Sequence, residues 1–187
     1  MKNKSWVLIT SLAVLSSFAS AALWSEEVKA VFEQPLLVTS AGQNAEVQIL
    51  AVLAKRAGLE YSLAKLAAAK DLDNMKTLAL VLGTSLKGLG AAGLDMDKER
   101  DRVTALVAEA QKRNIPLLCL HLGGENRRGQ QTDELITALL PLARMAIVVR
   151  SGNIDGIFTK ICQEKNIPLI EVEKTADALD PLQKAFR

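Results

Sequence analysis

Along the chain, short aliphatic runs alternate with segments whose apolar positions recur every three to four residues. The runs at 35–40, 59–63, 77–82, 115–122, 146–150 and 167–172 predict strands. Most lack interior polar alternation, the pattern of strands covered on both faces of a parallel sheet. Between them, Val103, Leu106, Val107 and Ala110 make one helical stripe, and Ile154, Ile157, Phe158 and Ile161 make another. Thr132 before Asp133 and Glu134 reads as a helix N-cap with an acidic first turn, and Asn44 and Asn153 are candidate caps of the same kind.

Asn114-Ile115-Pro116-Leu117 and Asn166-Ile167-Pro168-Leu169 repeat the same residues at two helix-to-strand junctions. Asn tolerates the left-handed backbone that ends a helix, and Pro cannot continue a helix but fits the first residues of a strand. The expected fold class is α/β: a single doubly wound, mostly parallel sheet of five to six strands, a flavodoxin- or Rossmann-like three-layer sandwich. A closed barrel of this type needs about eight units. The expected order is β2-β1-β3-β4-β5, with the last strand extending the edge.

The start of the chain breaks this rhythm. MKNKS is basic, residues 6–18 are apolar apart from Thr and Ser, and Ala19-Ser20-Ala21 supplies the small residues of a cleavage site. That pattern predicts a signal peptide over 1–21, cleaved before Ala22, and export to the periplasm or the extracellular space. A lead-in over 22–34 and one α/β domain over 35–187 follow. Cleavage removes Lys2 and Lys4, so the 23 basic side chains become 21 against 21 acidic ones. A neutral chain argues against a nucleic-acid partner, which normally meets a basic surplus. Cys119 and Cys162 both sit in apolar patterns and are expected as buried free thiols.

In open sheets of this class ligands sit beyond the carboxyl ends of the strands, near the point where strand order reverses. The segments expected there are TSAGQNAE from Thr39, GTSLKGLGAAGLD from Gly83, HLGGENRRG from His121 and RSGNIDG from Arg150. They supply the candidate ligand-binding residues: Ser40, Gly42, Gln43, Asn44, Thr84, Ser85, Lys87, His121, Gly123, Gly124, Arg127, Arg128, Ser151 and Asn153. The opposite junctions, LAKRAGL, QKRNIPL and QEKNIPL, have ordinary helix-ending chemistry.

FEQPLLVTSAGQNAEV, LVLGTSLKGLGAAGLD, HLGGENRRG and GNIDGIFTKI resemble a bacterial exported family described only as a domain of unknown function. The resemblance spans about Phe32 to the end of the chain. It implies an extracytoplasmic α/β domain and carries over neither an activity nor a catalytic residue.

Gly88, Gly90 and Gly93 form a literal G-x-G-x-x-G, but the run follows the third strand and the next helix is expected only near Asp97. A dinucleotide loop must follow the first strand tightly and open a helix, so a ligand-covering glycine loop is the better reading. The stretch from Thr39 to Asn44 is similar to the hydroxyl-rich phosphate loop of flavodoxins, yet the later loops offer no aromatic before Phe158 to flank a flavin. No cofactor and no metal is expected. A hydrolase would use Ser40, Ser85 or Ser151 with His121 as base and Glu125 or Asp155 as its orienting acid, but no G-x-S-x-G elbow is present.

The preferred expectation is an extracytoplasmic binding domain for a small anionic ligand. Arg127 and Arg128 would supply bidentate donors, Lys87 a point charge, and the amides near Gly42, Gln43, Gly123 and Gly124 a nest. The alternatives are the hydrolase and a non-catalytic module docking on a membrane transporter or sensor partner. Oligomeric state is not specified by any of these patterns.

Overall fold

Six parallel strands form one sheet in the order β2-β1-β3-β4-β5-β6. They are β1 Leu36–Ala41, β2 Tyr61–Leu63, β3 Thr77–Leu82, β4 Leu117–His121, β5 Met145–Val149 and β6 Leu169–Val172. The computed structural model describes residues 30–187. The expected signal peptide, 1–21, and the lead-in as far as 29 lie outside the described residues.

Each central strand is apolar throughout because it feeds two cores. Side chains alternate across a strand, so Leu36, Val38, Ala79, Val81, Leu118 and Leu120 enter one layer. Leu37, Leu78, Leu80, Leu82, Leu117 and Cys119 enter the other. The first layer is closed by α1 Glu46–Arg56 and α6 Leu179–Lys184, which touch each other. The second is closed by α3 Met96–Lys112, α4 Gln130–Leu139 and α5 Ile157–Lys165, including the Val103, Leu106, Val107, Ala110 stripe. The result is the three-layer doubly wound sandwich, with the last strand at the edge as expected. Among the described residues no helix is long and apolar enough to cross a membrane.

The two Asn-Ile-Pro-Leu junctions play equivalent parts. Asn114 and Asn166 end their helices at φ 57° and 54°. The carbonyl of the following proline then accepts from the neighbouring strand: Pro116 O from Leu78 N at 3.0 Å, and Pro168 O from Ala146 N at 2.9 Å.

Helix starts differ from expectation in four places. The glycine-rich segment after β3 contains a short helix, α2 Leu86–Ala91, capped by Ser85, whose Oγ accepts from Gly88 N at 3.1 Å. A Cβ on Gly88 would lie 2.0 Å from the Gln43 carbonyl, so glycine is what lets this helix dock on the β1 loop. Thr132 lies inside the first turn of α4 rather than before it, and its Oγ1 accepts from Thr84 N at 2.9 Å. Asn44 stands one residue ahead of the α1 cap position, held by Ala45, because its amide is committed to β3. Asn153 does satisfy the start of α5: its Oδ1 accepts from Phe158 N at 2.9 Å, although Gly156 is the flanking residue.

The chain leaves β1 for β2 on one side, and β3 lies on the other side of β1. The carboxyl ends of β1 and β3 therefore flank the crevice where a doubly wound sheet offers a site.

Candidate functional site

At the end of β1, Ser40 Oγ accepts from Asn44 N at 3.0 Å. The Asn44 amide donates to Val81 O at 2.9 Å and Gly83 O at 2.8 Å, tying β1 to β3 across the crevice. Gly42 and Gln43 follow at φ 99° and 55°. Glycine is required at 42, since a Cβ there would lie 2.4 Å from Gly83 O.

The Gly42 backbone amide and the Gln43 side-chain amide converge on one point, where together they can hold an anion. The anion there belongs to the chain itself. Gly42 N donates to Glu99 Oε1 at 2.8 Å, and Gln43 Nε2 reaches both carboxylate oxygens at 3.1 and 3.2 Å. Arg102 completes the seat, with Nε 2.9 Å from Oε2 and Nη2 2.8 Å from Oε1. Glu99 is fully buried.

The loops after β4 and β5 close on each other. His121 is fully buried, with Nδ1 2.9 Å from Leu82 O and Nε2 3.0 Å from Gly124 O. A neutral imidazole has one N–H and can serve only one of these carbonyls. Burial holds its pKa below the ordinary 6.5, against the two carbonyls, which favour the protonated ring. The Phe158 ring lies 5.3 Å away, centroid to centroid. None of the expected serines is on the imidazole: Ser40 is committed to Asn44, Ser85 to α2, and Ser151 packs on Gly124.

Both arginines of the GGENRR stretch are engaged. Arg127 Nε donates to Glu46 Oε1 at 2.8 Å. Arg128 donates from Nε to Asp133 at 2.7 Å, from Nη1 and Nη2 to Asp155 at 3.0 and 2.8 Å, and to the Gly152 carbonyl. Its side chain is 13% exposed. The Arg128 guanidinium in turn holds the Asp155 carboxyl down at about 2.

The glycines here serve packing. A Cβ on Gly123 would meet the Arg127 side chain at 2.1 Å, and one on Gly124 would meet Ser151 Oγ at 2.3 Å. Asn153 Nδ2 joins the network through Thr159 at 2.7 Å and Glu171 at 2.9 Å. Residues 121–128, 151 and 153 are thus brought together, but as a knot of internal pairs.

The open space lies on the other side of α1's start. A cleft of about 480 Å³ is lined by Gln43, Asn44 and Ala45, by Ser85, Lys87 and Gly88 with Ala91 and Ala92 of α2, and by Lys65 and Leu66. Of the expected residues it collects Gln43, Asn44, Ser85 and Lys87. Lys65 and Leu66 were missed by sequence reasoning. Their signal is local: they lie just past the 59–63 run, separated from it by Ala64, at the carboxyl end of a short edge strand.

The cleft wall has no acidic residue. Among the described residues neither Lys65 nor Lys87 forms a salt bridge, and the start of α1 has no side-chain cap. The Lys65 carbonyl is pinned by Thr39 Oγ1 and Gln43 Nε2, each at 3.2 Å. No group of three or more His, Cys, Asp or Glu among the described residues is placed to hold a metal ion.

No curated protein matches the chain. Among solved structures, it is similar to a protein assigned to the lipolytic G-D-S-L family from Desulfitobacterium hafniense DCB-2, at 14% identity and TM-score 0.35 over 73% of this chain and 75% of that one. It is also similar to AlinE4, an esterase of the SGNH-hydrolase family, at 13% identity and TM-score 0.28 over 77% of each chain. Neither likeness transfers a serine, a histidine or an acid to this chain. The family described as a domain of unknown function (DUF6305) matches residues 33–186, and the chain belongs to that family.

Proposed function

We propose that the protein is an extracytoplasmic small-molecule binding domain whose anionic ligand sits in the cleft between the start of α1 and α2. The observation that carries this reading is the acid-free wall with two lysines at the strand-reversal crevice. A volume of about 480 Å³ falls in the range of small-ligand sites. Lys65 and Lys87 supply the charge, the uncapped amides of α1 add a positive helix end, and Ser85 Oγ keeps its proton free to donate while accepting from Gly88.

The assignment differs from the sequence expectation in its cations. Arg127 and Arg128 have carboxylate partners and act in structure, whereas Lys87 keeps its expected part and Lys65 joins it. Export rests on the basic, apolar and small-residue segments of 1–21, and docking on a membrane transporter or sensor is compatible with a ligand carrier outside the cytoplasm.

The test is calorimetric titration of acetate and phosphate into the wild type, Lys65→Gln, Lys87→Gln and the double variant. Affinity should fall about tenfold or more in the double variant, as for loss of charge-assisted contacts. Equal affinity in all four proteins would remove the site from this cleft.

A further inference from the structure

The cleft between the start of α1 and α2 combines charge with carbon. Its cations are Lys65 and Lys87, neither of which forms a salt bridge among the described residues. Its carbon comes from Ala45, Leu66, Ala91 and Ala92. Leu66 is 48% exposed, and Ala45 and Ala91 are exposed too, so this apolar surface is open to solvent.

The amide donors of the wall are spent on the protein itself. Gln43 Nε2 donates to the Glu99 carboxylate and the Lys65 carbonyl, and Asn44 Nδ2 donates to Val81 O and Gly83 O. Asn44 Oδ1 is shut from solvent. The side-chain donors left to a ligand are therefore the two lysine ammonium groups and the Ser85 hydroxyl.

Such a wall ranks anions by what they carry. The hydroxyls of a sugar acid or sugar phosphate, laid along Leu66, Ala91 and Ala92, would give up water without gaining partners. Phosphate or acetate would leave the same carbon in water. A volume of about 480 Å³ is also of the size that takes ligands larger than either.

We propose that the ligand of this cleft is an aliphatic monocarboxylate, its carboxylate on Lys65 and Lys87 and its methylene chain along Leu66, Ala91 and Ala92. This rests on the anion-binding reading above and names the class of its ligand. A methylene taken fully out of water tightens binding about fourfold, and one laid along an open wall gains less.

The experiment titrates acetate, butanoate, hexanoate and hexanol into the wild type, Leu66→Ser and Lys87→Gln by calorimetry, with unfolding midpoints measured alongside. Affinity should climb along the carboxylate series, hexanoate exceeding acetate by about tenfold or more. Leu66→Ser should flatten the climb while acetate binds as before. Because Leu66 is half-exposed, its substitution should barely move the midpoint. Lys87→Gln should weaken every carboxylate by a similar factor.

If acetate binds as tightly as hexanoate and both weaken in Lys87→Gln, the anion reading stands and the aliphatic ligand is overturned. If no carboxylate binds, both fall. A climb that persists undiminished in Leu66→Ser puts the chain elsewhere, and hexanol matching hexanoate takes the lysines out of recognition; either result defeats the inference.

Discussion

Glu99 of α3 places its carboxylate 2.8 Å from the Gly42 amide, inside the turn that ends β1. An α/β sheet of this order commonly meets a ligand anion at such a turn. Here the anion is tethered, and Arg102 neutralises it from one turn further along the same helix. Because Arg102 also donates to Ser40 O at 2.6 Å and Ala67 O at 2.9 Å, the pair fastens α3 to the end of β1 and to the loop after β2. Removing Glu99 leaves the half-buried Arg102 guanidinium, its side chain 14% exposed, without its counter-charge. Glu99→Ala should therefore lose about 3–5 kcal/mol of stability. Formate or acetate should restore part of that loss in the variant and none in the wild type. Denaturant midpoints with and without formate check this, and a variant indifferent to formate would show that the seat is not specific for a carboxylate.

The β1 loop illustrates what a single chain discloses. That TSAGQN would build an anion seat was legible, because Gly42 and the polar residues around it are local. That Glu99 would fill it was not, since the two meet across 57 positions and Glu99 looks like any acid in the first turn of a helix. The sheet was legible for the opposite reason. Its strands are uniformly apolar, and the Asn-Ile-Pro-Leu junctions announce where helices end.

Arg128 behaves as a structural residue in the same way. It gathers Asp133, Asp155 and the Gly152 carbonyl, tying α4 to the segment after β5. Arg128→Ala should cost about 2 kcal/mol, in the range for hydrogen bonds to charged groups. Arg127, with one carboxylate partner and a side chain 32% exposed, should cost about 1 kcal/mol or less. Parallel urea melts of the two variants rank them. The reverse order would point to a heavier role for the Glu46 pair.

His121 sets a pH dependence. Its pKa is held below 6.5 in the folded protein, first by burial, with Arg128 adding to the depression and the Gly124 and Leu82 carbonyls and Glu46 opposing it. The unfolded chain then binds more protons than the folded one, so the group stabilises the fold above about pH 6.5. That contribution is lost as pH falls from there towards the lowered folded pKa. The slope from one group cannot exceed about 1.4 kcal/mol per pH unit. His121→Gln should flatten the stability profile in this window. A profile unchanged by the substitution would assign the acid sensitivity to other groups.

The two thiols provide the last test, one that separates burial from bonding. Cys119 points from β4 and Cys162 from α5 into the same aliphatic layer. Burial pushes the Cys119 thiol far up, with a further rise from the nearby Cys162, and burial pushes Cys162 up to about 11. Only the thiolate is an efficient nucleophile, so neither should react with iodoacetamide at pH 8 while the fold is intact. Denaturation without reductant should then release both, adding two alkyl groups by intact mass. Cys162, with the smaller shift and a place near the end of α5, should label first under partial denaturation. Rapid labelling of Cys119 in the native protein would mean that the β4–α5 layer opens far more readily than its packing implies.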